Sequence, residues 1–95
     1  MSRATATHHH LKADPSPFQA MWQGDKQSEV RFNDRGYAVG DMVNLQETVH
    51  PAAAMKDGAP LEYTGRAITR EITHVQAGYG LQDGWVVLSL GERTA

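Results

Sequence analysis

The segment SPFQAMWQGDKQSEVRF, residues 16–32, holds a complete helix signal followed at once by a strand signal. Ser16 is a candidate N-cap, Pro17 suits the first helical position, and Gln19 completes a capping box. Gly24 stands where a left-handed residue ends a helix. An apolar stripe with helical spacing is formed by Phe18, Met21 and Trp22. The sequence therefore predicts a short helix of about two turns.

Alternation with a period of two begins immediately after this helix. Because successive side chains of a strand point to opposite faces, residues 28–33 separate into two sets. One face carries Ser28, Val30 and Phe32, and the other carries Glu29, Arg31 and Asn33. The pattern predicts a strand with a charged face.

Four further strands are predicted along the chain. They lie at residues 8–13, 39–47, 66–75 and 85–90. The alternation within residues 66–75 is imperfect, which indicates a bent or bulged strand. The last is almost continuously apolar and is therefore expected to be central in its sheet. Residues 49–62 contain two prolines and no sustained pattern, which predicts a long loop in which a turn of helix can form.

One early helix and five modest strands favour a mainly β (α+β) fold. Since the consecutive strands lack crossover helices, parallel pairing is not expected. We expect a small, mostly antiparallel, partly closed β-barrel with the short helix after its first strand. The chain has 95 residues, which suits one domain over residues 8–95, with a disordered N-terminus at residues 1–7.

Composition narrows the possible functions. Nine Lys and Arg stand against eleven Asp and Glu, a balance that counts against a protein binding duplex DNA non-specifically. The absence of cysteine excludes disulfides, thiolate metal sites and a cysteine nucleophile. No signal-peptide pattern opens the chain, so a cytoplasmic location is expected. Adjacent histidines at residues 8–10 would point to opposite faces of a strand, so we expect no metal site and no cofactor.

The charges after the helix have two possible roles. Lys26 follows the helix cap, while Glu29 and Arg31 share a strand face. Two cations flanking a carboxylate can bind an anionic or base-like ligand in a pocket. The same residues can equally form a charge ladder on an exposed strand. Residue spacing alone leaves both roles open.

The motif G-x-K-x-x-E-x-R at residues 24–31 resembles the signature of the ASCH domains, a branch of the PUA-like superfamily of small RNA-associated β-barrels. Five more motifs extend the resemblance over residues 8–90, to a compact phage and bacterial PUA-like domain of unknown function. These motifs are HHLK (9–12), NDR (33–35), VGD (39–41), YTGR (63–66) and GYGLQDGWVVL (78–88).

The resemblance implies a PUA-like barrel that recognises RNA or a modified nucleotide in a polar cleft beside the helix. The candidate ligand-binding residues are His9, Lys12, Lys26, Glu29, Arg31, Asn33, Arg35, Tyr63, Arg66 and Tyr79. Three of these have alternatives. His9 is either a structural residue or a hydrogen-bonding residue of the cleft. Arg66 either clamps a phosphate or pairs with Glu62 or Glu47, and Tyr79 either stacks on a base or covers the end of the barrel. Two tryptophans, at positions 22 and 85, are expected in the core.

Two other functions remain open. A related amidohydrolase uses a Lys in this motif and a Thr three positions later, where this chain has Glu29. A hydrolase acting on a modified nucleoside or on RNA would therefore use Lys26 as nucleophile or base and Glu29 as proton carrier or orienting group. Alternatively, a phage-encoded interaction module would bind a host protein through residues 49–62. Whether the protein is an enzyme is left open.

Overall fold

The computed structural model describes residues 6–92, which form one curled, mixed five-stranded sheet with the shape of a half-barrel. The elements are β1 (His8–Ala13), α1 (Pro15–Trp22), β2 (Ser28–Phe32), β3 (Met42–Thr48), α2 (Ala52–Lys56), β4 (Tyr63–Gln76) and β5 (Trp85–Glu92). Within the sheet the strand order is β1-β3-β4-β5-β2. The predicted mainly β class, with a short helix after the first strand, is confirmed.

Residues 1–5, most of the predicted disordered N-terminus, lie outside the described residues. Just before β1, the Thr7 carbonyl accepts a hydrogen bond from the Met42 N–H at 2.9 Å. Across residues 6–92, no helix has the length and apolar character needed to span a bilayer.

The expectation that parallel pairing is absent is wrong at one edge of the sheet. β1 pairs in parallel with β3, from His8 opposite Met42 to Ala13 opposite Glu47, while the other three strand pairs are antiparallel. Between them, residues 14–41 pass through α1 and then through β2 on the far edge of the sheet. This connection is long enough to act as a crossover, and it places β1 and β2 at opposite ends of the strand order.

The apolar core lies between the concave face of the sheet and α1. Alternate residues of β1 are buried, and Phe18 and Met21 bury the apolar stripe of α1. The two tryptophans expected in the core are instead half-exposed. Trp22, at the margin of the stripe, stacks on the Phe18 ring with centroids 5.8 Å apart. Trp85 contacts Phe32 on the outer face of the sheet, with centroids 6.0 Å apart.

Helix α1 begins earlier than the sequence predicts. Its N-cap is Asp14 and Pro15 is the first helical residue, so Ser16 lies inside the helix and does not cap it. Proline suits that first position because its φ is already helical and its missing N–H is not needed there. The Asp14 carboxylate accepts a hydrogen bond from the Ala52 N–H at 3.0 Å, and so joins the start of α1 to α2.

The predicted end of α1 at Gly24 is confirmed. The Gly24 N–H donates to the Met21 carbonyl at 3.0 Å and the Asp25 N–H donates to the Ala20 carbonyl at 2.9 Å, which is the Schellman arrangement. Gly24 has φ 87°, a left-handed value that side chains disfavour. This reversal carries the chain from the helix to Lys26 and then to β2.

The later strands differ from expectation only in their limits. β4 has 14 residues and begins at Tyr63, three residues before the predicted strand. Its predicted irregularity is confirmed by register shifts against both neighbouring strands. β5 lies between β4 and β2, as its apolar sequence indicates. The helical turn foreseen within residues 49–62 is α2.

We predict that Gly24→Ala lowers the free energy of unfolding by about 1 kcal/mol, because the alanine must adopt a left-handed conformation. A Cβ at Gly24 would meet no atom within 4 Å, so steric overlap adds nothing to this cost. Gly24→Asn is the matched control, since asparagine tolerates this conformation better and should lose less. Urea denaturation measures both, and an alanine variant as stable as the parent chain would contradict the prediction.

Candidate functional site

The two free edges of the sheet face each other across a cleft. β1 and β2 end the strand order, and the curl of the sheet brings them close together. Arg31 of β2 donates a hydrogen bond from Nη2 to the Lys12 carbonyl of β1 at 2.7 Å. The Arg31 side chain thereby connects the two edge strands, β1 and β2, which are not paired with each other.

The charged face of β2 points to the inside of the half-barrel. Glu29 lies opposite Leu88, which is fully buried, and Arg31 lies opposite the buried Val86. Directly paired residues share a face of the sheet, so both charged side chains point inward. Val30 and Phe32 point outward and are 54% and 51% exposed. A period-two pattern identifies the two faces of a strand, but it does not say which of them faces the core.

The Glu29 carboxylate is the centre of this charged face. Its Oε1 lies 2.6 Å from Lys26 Nζ, and its Oε2 accepts from Arg31 Nε at 3.1 Å. The Lys26 ammonium also donates to the Ser28 carbonyl. Glu29 is buried, whereas the side chains of Lys26 and Arg31 are 29% and 25% exposed. The buried Glu29 carboxylate is tolerated because it is paired with two cations. Both cations remain partly exposed, on the side that faces the cleft.

The cleft beside this cluster has a volume of ≈ 680 Å³, within the range of small-molecule sites. Its wall combines both sheet edges with one side of α1 and of α2. The lining residues are Lys12, Ala13, Asp14, Pro17, Lys26, Glu29, Val30, Arg31, Ala52, Met55 and Lys56. Four of these residues are cationic and two are acidic, although the whole chain has a formal charge of -2. Positive charge is therefore concentrated at the cleft.

Four of the sequence-predicted site residues, Lys12, Lys26, Glu29 and Arg31, line this cleft. Sequence reasoning missed its α2 wall, above all Met55 and Lys56. Residues 49–62 carry no periodic pattern, so nothing in them indicates which side chains return to the barrel. The only local signal is Pro51, which precedes the short helix as its N-cap.

Arg66 lies outside the cleft lining and pairs with Glu47, one of the two roles left open. Its Nε and Nη2 donate to the two Glu47 oxygens at 3.0 and 2.9 Å, and Nη2 also donates to Gln19 Oε1 at 2.9 Å. The guanidinium lies 5.2 Å from the Phe18 ring centroid and 4.8 Å from that of Trp22. These contacts fasten α1 to β3 and β4, and they stabilise the fold rather than the cleft.

This ion pair changes the acidity of both partners. The hydrogen bond from Arg66 lowers the pKa of Glu47 below its ordinary value of 4.5, against the effect of burial, and the Thr64 hydroxyl adds to the lowering. In return, Glu47 raises the pKa of Arg66.

His9 takes part in a buried network and does not line the cleft. Its Nε2 donates to Asp41 Oδ2 at 2.9 Å, and its ring meets the Tyr37 ring edge-on with centroids 4.8 Å apart. Asp41 also accepts from the Ala38 and Thr7 N–H groups at 3.1 and 3.2 Å. Burial raises the pKa of the Tyr37 hydroxyl. The network joins β1 to the turn that opens β3.

The other predicted site residues do not line the cleft. Asn33 accepts a hydrogen bond from the Tyr37 N–H at 3.0 Å, while Arg35 and Tyr63 are exposed. Tyr79 is 93% exposed and therefore does not cover the end of the barrel, the alternative left open for it. Within residues 6–92, no group of three or more His, Asp or Glu side chains is placed to hold a metal ion.

Comparison with known proteins adds one finding to this geometry. The model of a family described as a domain of unknown function (DUF3850) matches residues 8–90, nearly the whole chain. A search of curated proteins finds no match.

We predict that Glu29→Ala destabilises the fold by about 2 kcal/mol, because Lys26 and Arg31 then lose their common acceptor. Glu29→Gln keeps the shape and part of the hydrogen bonding, so it should lose less. Glu62→Gln, at an exposed carboxylate, is the control and should change stability by less than about 0.5 kcal/mol. Equal urea midpoints for Glu29→Ala and the control would show that the cluster contributes nothing.

We also predict that the Glu47–Arg66 pair makes stability depend on pH in acid. Since the native pKa of Glu47 is lowered, its contribution is complete above about pH 4.5 and is lost as the pH falls through the lower native value. The difference in unfolding free energy between the parent chain and Glu47→Gln should therefore shrink between neutral pH and strong acid. Urea titrations at a series of pH values measure it, and a constant difference would contradict the assignment.

Proposed function

The chain belongs to the DUF3850 family, and we propose that it is a binding domain that recognises RNA or a single nucleotide in the cleft between its two sheet edges. One observation carries the proposal. Lys26, Glu29 and Arg31 meet in a single cleft that Lys12 and Lys56 also line.

The charge distribution supports an anionic ligand of limited size. The Lys12 and Lys56 side chains are exposed and make no hydrogen bond to another residue within the described 6–92. Free lysine ammonium groups at the rim of a cleft suit phosphate oxygens. A formal charge of -2 disfavours binding along an extended polyanion, so recognition is expected within the cleft.

The Glu29 cluster supports selective binding. Because the carboxylate already holds Lys26 and Arg31 in place, less conformational entropy is lost when a ligand meets them. Glu29 also neutralises one of the two cations, which leaves a single net positive charge and a fixed set of donors. The resemblance to ASCH and PUA-like domains, an RNA-associated superfamily, supports the same ligand class.

The contacts of Lys26 favour binding over catalysis. Its ammonium donates to both Glu29 and the Ser28 carbonyl, and a donor engaged in this way is poorly placed to act as nucleophile or base. Residues 49–62 supply the α2 wall of the cleft through Ala52, Met55 and Lys56, which gives this segment a role in ligand binding.

The test is the affinity for a fluorescently labelled single-stranded RNA octamer, followed by anisotropy at several salt concentrations. Lys12→Ala and Lys56→Ala should each weaken binding by about fivefold, and each should reduce the slope of log affinity against log salt by about 0.7. Arg35→Ala is the charge-matched control, since Arg35 is exposed and outside the cleft lining. Competition with ribonucleoside 5′-monophosphates tests binding of a single nucleotide.

Equal losses in all three variants would place binding on general surface charge and overturn the proposal. Electrophoresis of the RNA after incubation tests the hydrolase alternative in the same samples. Cleavage that disappears in Lys26→Ala would replace the binding domain with an enzyme.

A further inference from the structure

Val30 directs its main-chain N–H and C=O groups toward the free edge of the sheet. The Leu90 N–H donates to the Gln27 carbonyl at 3.0 Å and the Asn33 N–H donates to the Gly84 carbonyl at 2.7 Å. In an antiparallel pair, alternate residues bond to the neighbouring strand. Residues 27, 29, 31 and 33 therefore face β5, while residues 28, 30 and 32 face away from it.

Neighbouring groups already occupy two of the three carbonyls at this free edge. The Ser28 carbonyl accepts a hydrogen bond from the Lys26 ammonium, and the Phe32 carbonyl accepts one from the Asp34 N–H at 2.9 Å. Among these three residues, only Val30 keeps both a donor and an acceptor available.

Val30 is one of the residues that line the cleft. Its side chain shares the outer face of the sheet with Val87, its cross-strand partner, whereas the cleft lies on the side of the free edge. Val30 therefore offers the cleft one N–H and one C=O, next to the Glu29 carboxylate and the Arg31 guanidinium.

A peptide strand is poorly suited to this edge. Strand addition requires a row of free main-chain groups, and here two of the three carbonyls are already bonded. On the opposite edge, the Lys12 carbonyl accepts from Arg31. Among residues 28, 30 and 32, Val30 is the residue whose N–H and C=O are both available, and this pair fits a flat group that carries one acceptor beside one donor.

We infer that the main chain of Val30 reads the hydrogen-bonding edge of a nucleobase held in the cleft. Nucleobases carry neighbouring donors and acceptors in one plane, the complement of a strand N–H and C=O. The apolar surfaces of Pro17 and Met55 line the same cleft and suit the faces of the base, while Lys12 and Lys56 meet the phosphate.

This inference rests on the proposed nucleotide function and specifies it further. A main-chain pair can reach the edge of a base only when that edge is unpaired. The ligand is therefore a free nucleotide or an unpaired base of single-stranded RNA, not a base within a duplex.

The first test is nuclear magnetic resonance of ¹⁵N-labelled protein, titrated separately with AMP, CMP, GMP, UMP and ribose 5-phosphate. At least one nucleotide should shift the Val30 amide resonance. Ribose 5-phosphate should shift resonances near Lys12 and Lys56 but leave the Val30 amide unmoved. If the Val30 amide does not shift, while nucleotides and ribose 5-phosphate shift the resonances near the lysines equally, base recognition by Val30 is wrong. The phosphate site at the lysines would then still be supported. No shift around the cleft with any probe would overturn the nucleotide function itself.

The second test is a pair of variants at Val30. Val30→Pro removes the N–H without removing a bond to β5, and edge strands accept proline. It should weaken binding of the nucleotide that moves Val30 by about five- to tenfold, while Val30→Ala stays within about twofold. Binding of ribose 5-phosphate should not change in either variant. Circular dichroism checks folding, and equal nucleotide affinity of a folded Val30→Pro and Val30→Ala would overturn the inference.

Discussion

The contact between Arg31 and the two groups it joins, the Glu29 carboxylate and the Lys12 carbonyl, is the interaction on which the site depends. A curled sheet of five strands leaves two edges with unpaired main-chain groups, which is a hazard for association between chains. Here the Arg31 guanidinium, which belongs to the edge strand β2, donates a hydrogen bond to the main chain of the other edge strand, β1. The buried carboxylate holds that guanidinium in position, so removing it affects both the closure of the half-barrel and the donors that face the cleft.

The charges in this protein separate into two groups with different roles. Around Arg66, a bidentate ion pair and two aromatic rings satisfy the guanidinium and fasten α1 to the sheet. Around Glu29, two cations share one carboxylate and keep part of their surface exposed to the cleft. The first arrangement stabilises packing, while the second leaves hydrogen-bonding capacity for a ligand. Both groups contain an arginine paired with a buried glutamate, and it is the cleft beside the second that distinguishes them.

Sequence reasoning succeeded where the signal is local and failed where it depends on distant parts of the chain. Gly24 ends α1 as predicted, because a left-handed cap is a property of a few adjacent residues. The parallel pairing of β1 with β3 was missed because it follows from the path of residues 14–41 around the sheet. Similarly, alternation in β2 separated its two faces correctly, but only the register Glu29 opposite Leu88 shows which face is internal. Lys56 was missed since α2 reaches the cleft through tertiary packing alone.

The partly occupied edge of β2 is the reason that we propose a small planar ligand for this cleft. An open β2 edge would offer main-chain groups at every second residue and would accept almost any extended peptide. Bonds to the Ser28 and Phe32 carbonyls leave Val30 as the residue of this edge with both its N–H and its C=O available, so an added strand would find two of the three carbonyls already bonded. The same bonds that protect the edge from association with other chains thus restrict what the cleft can hold. In the proposed binding mode, selectivity would depend on main-chain groups already in use as well as on those left free.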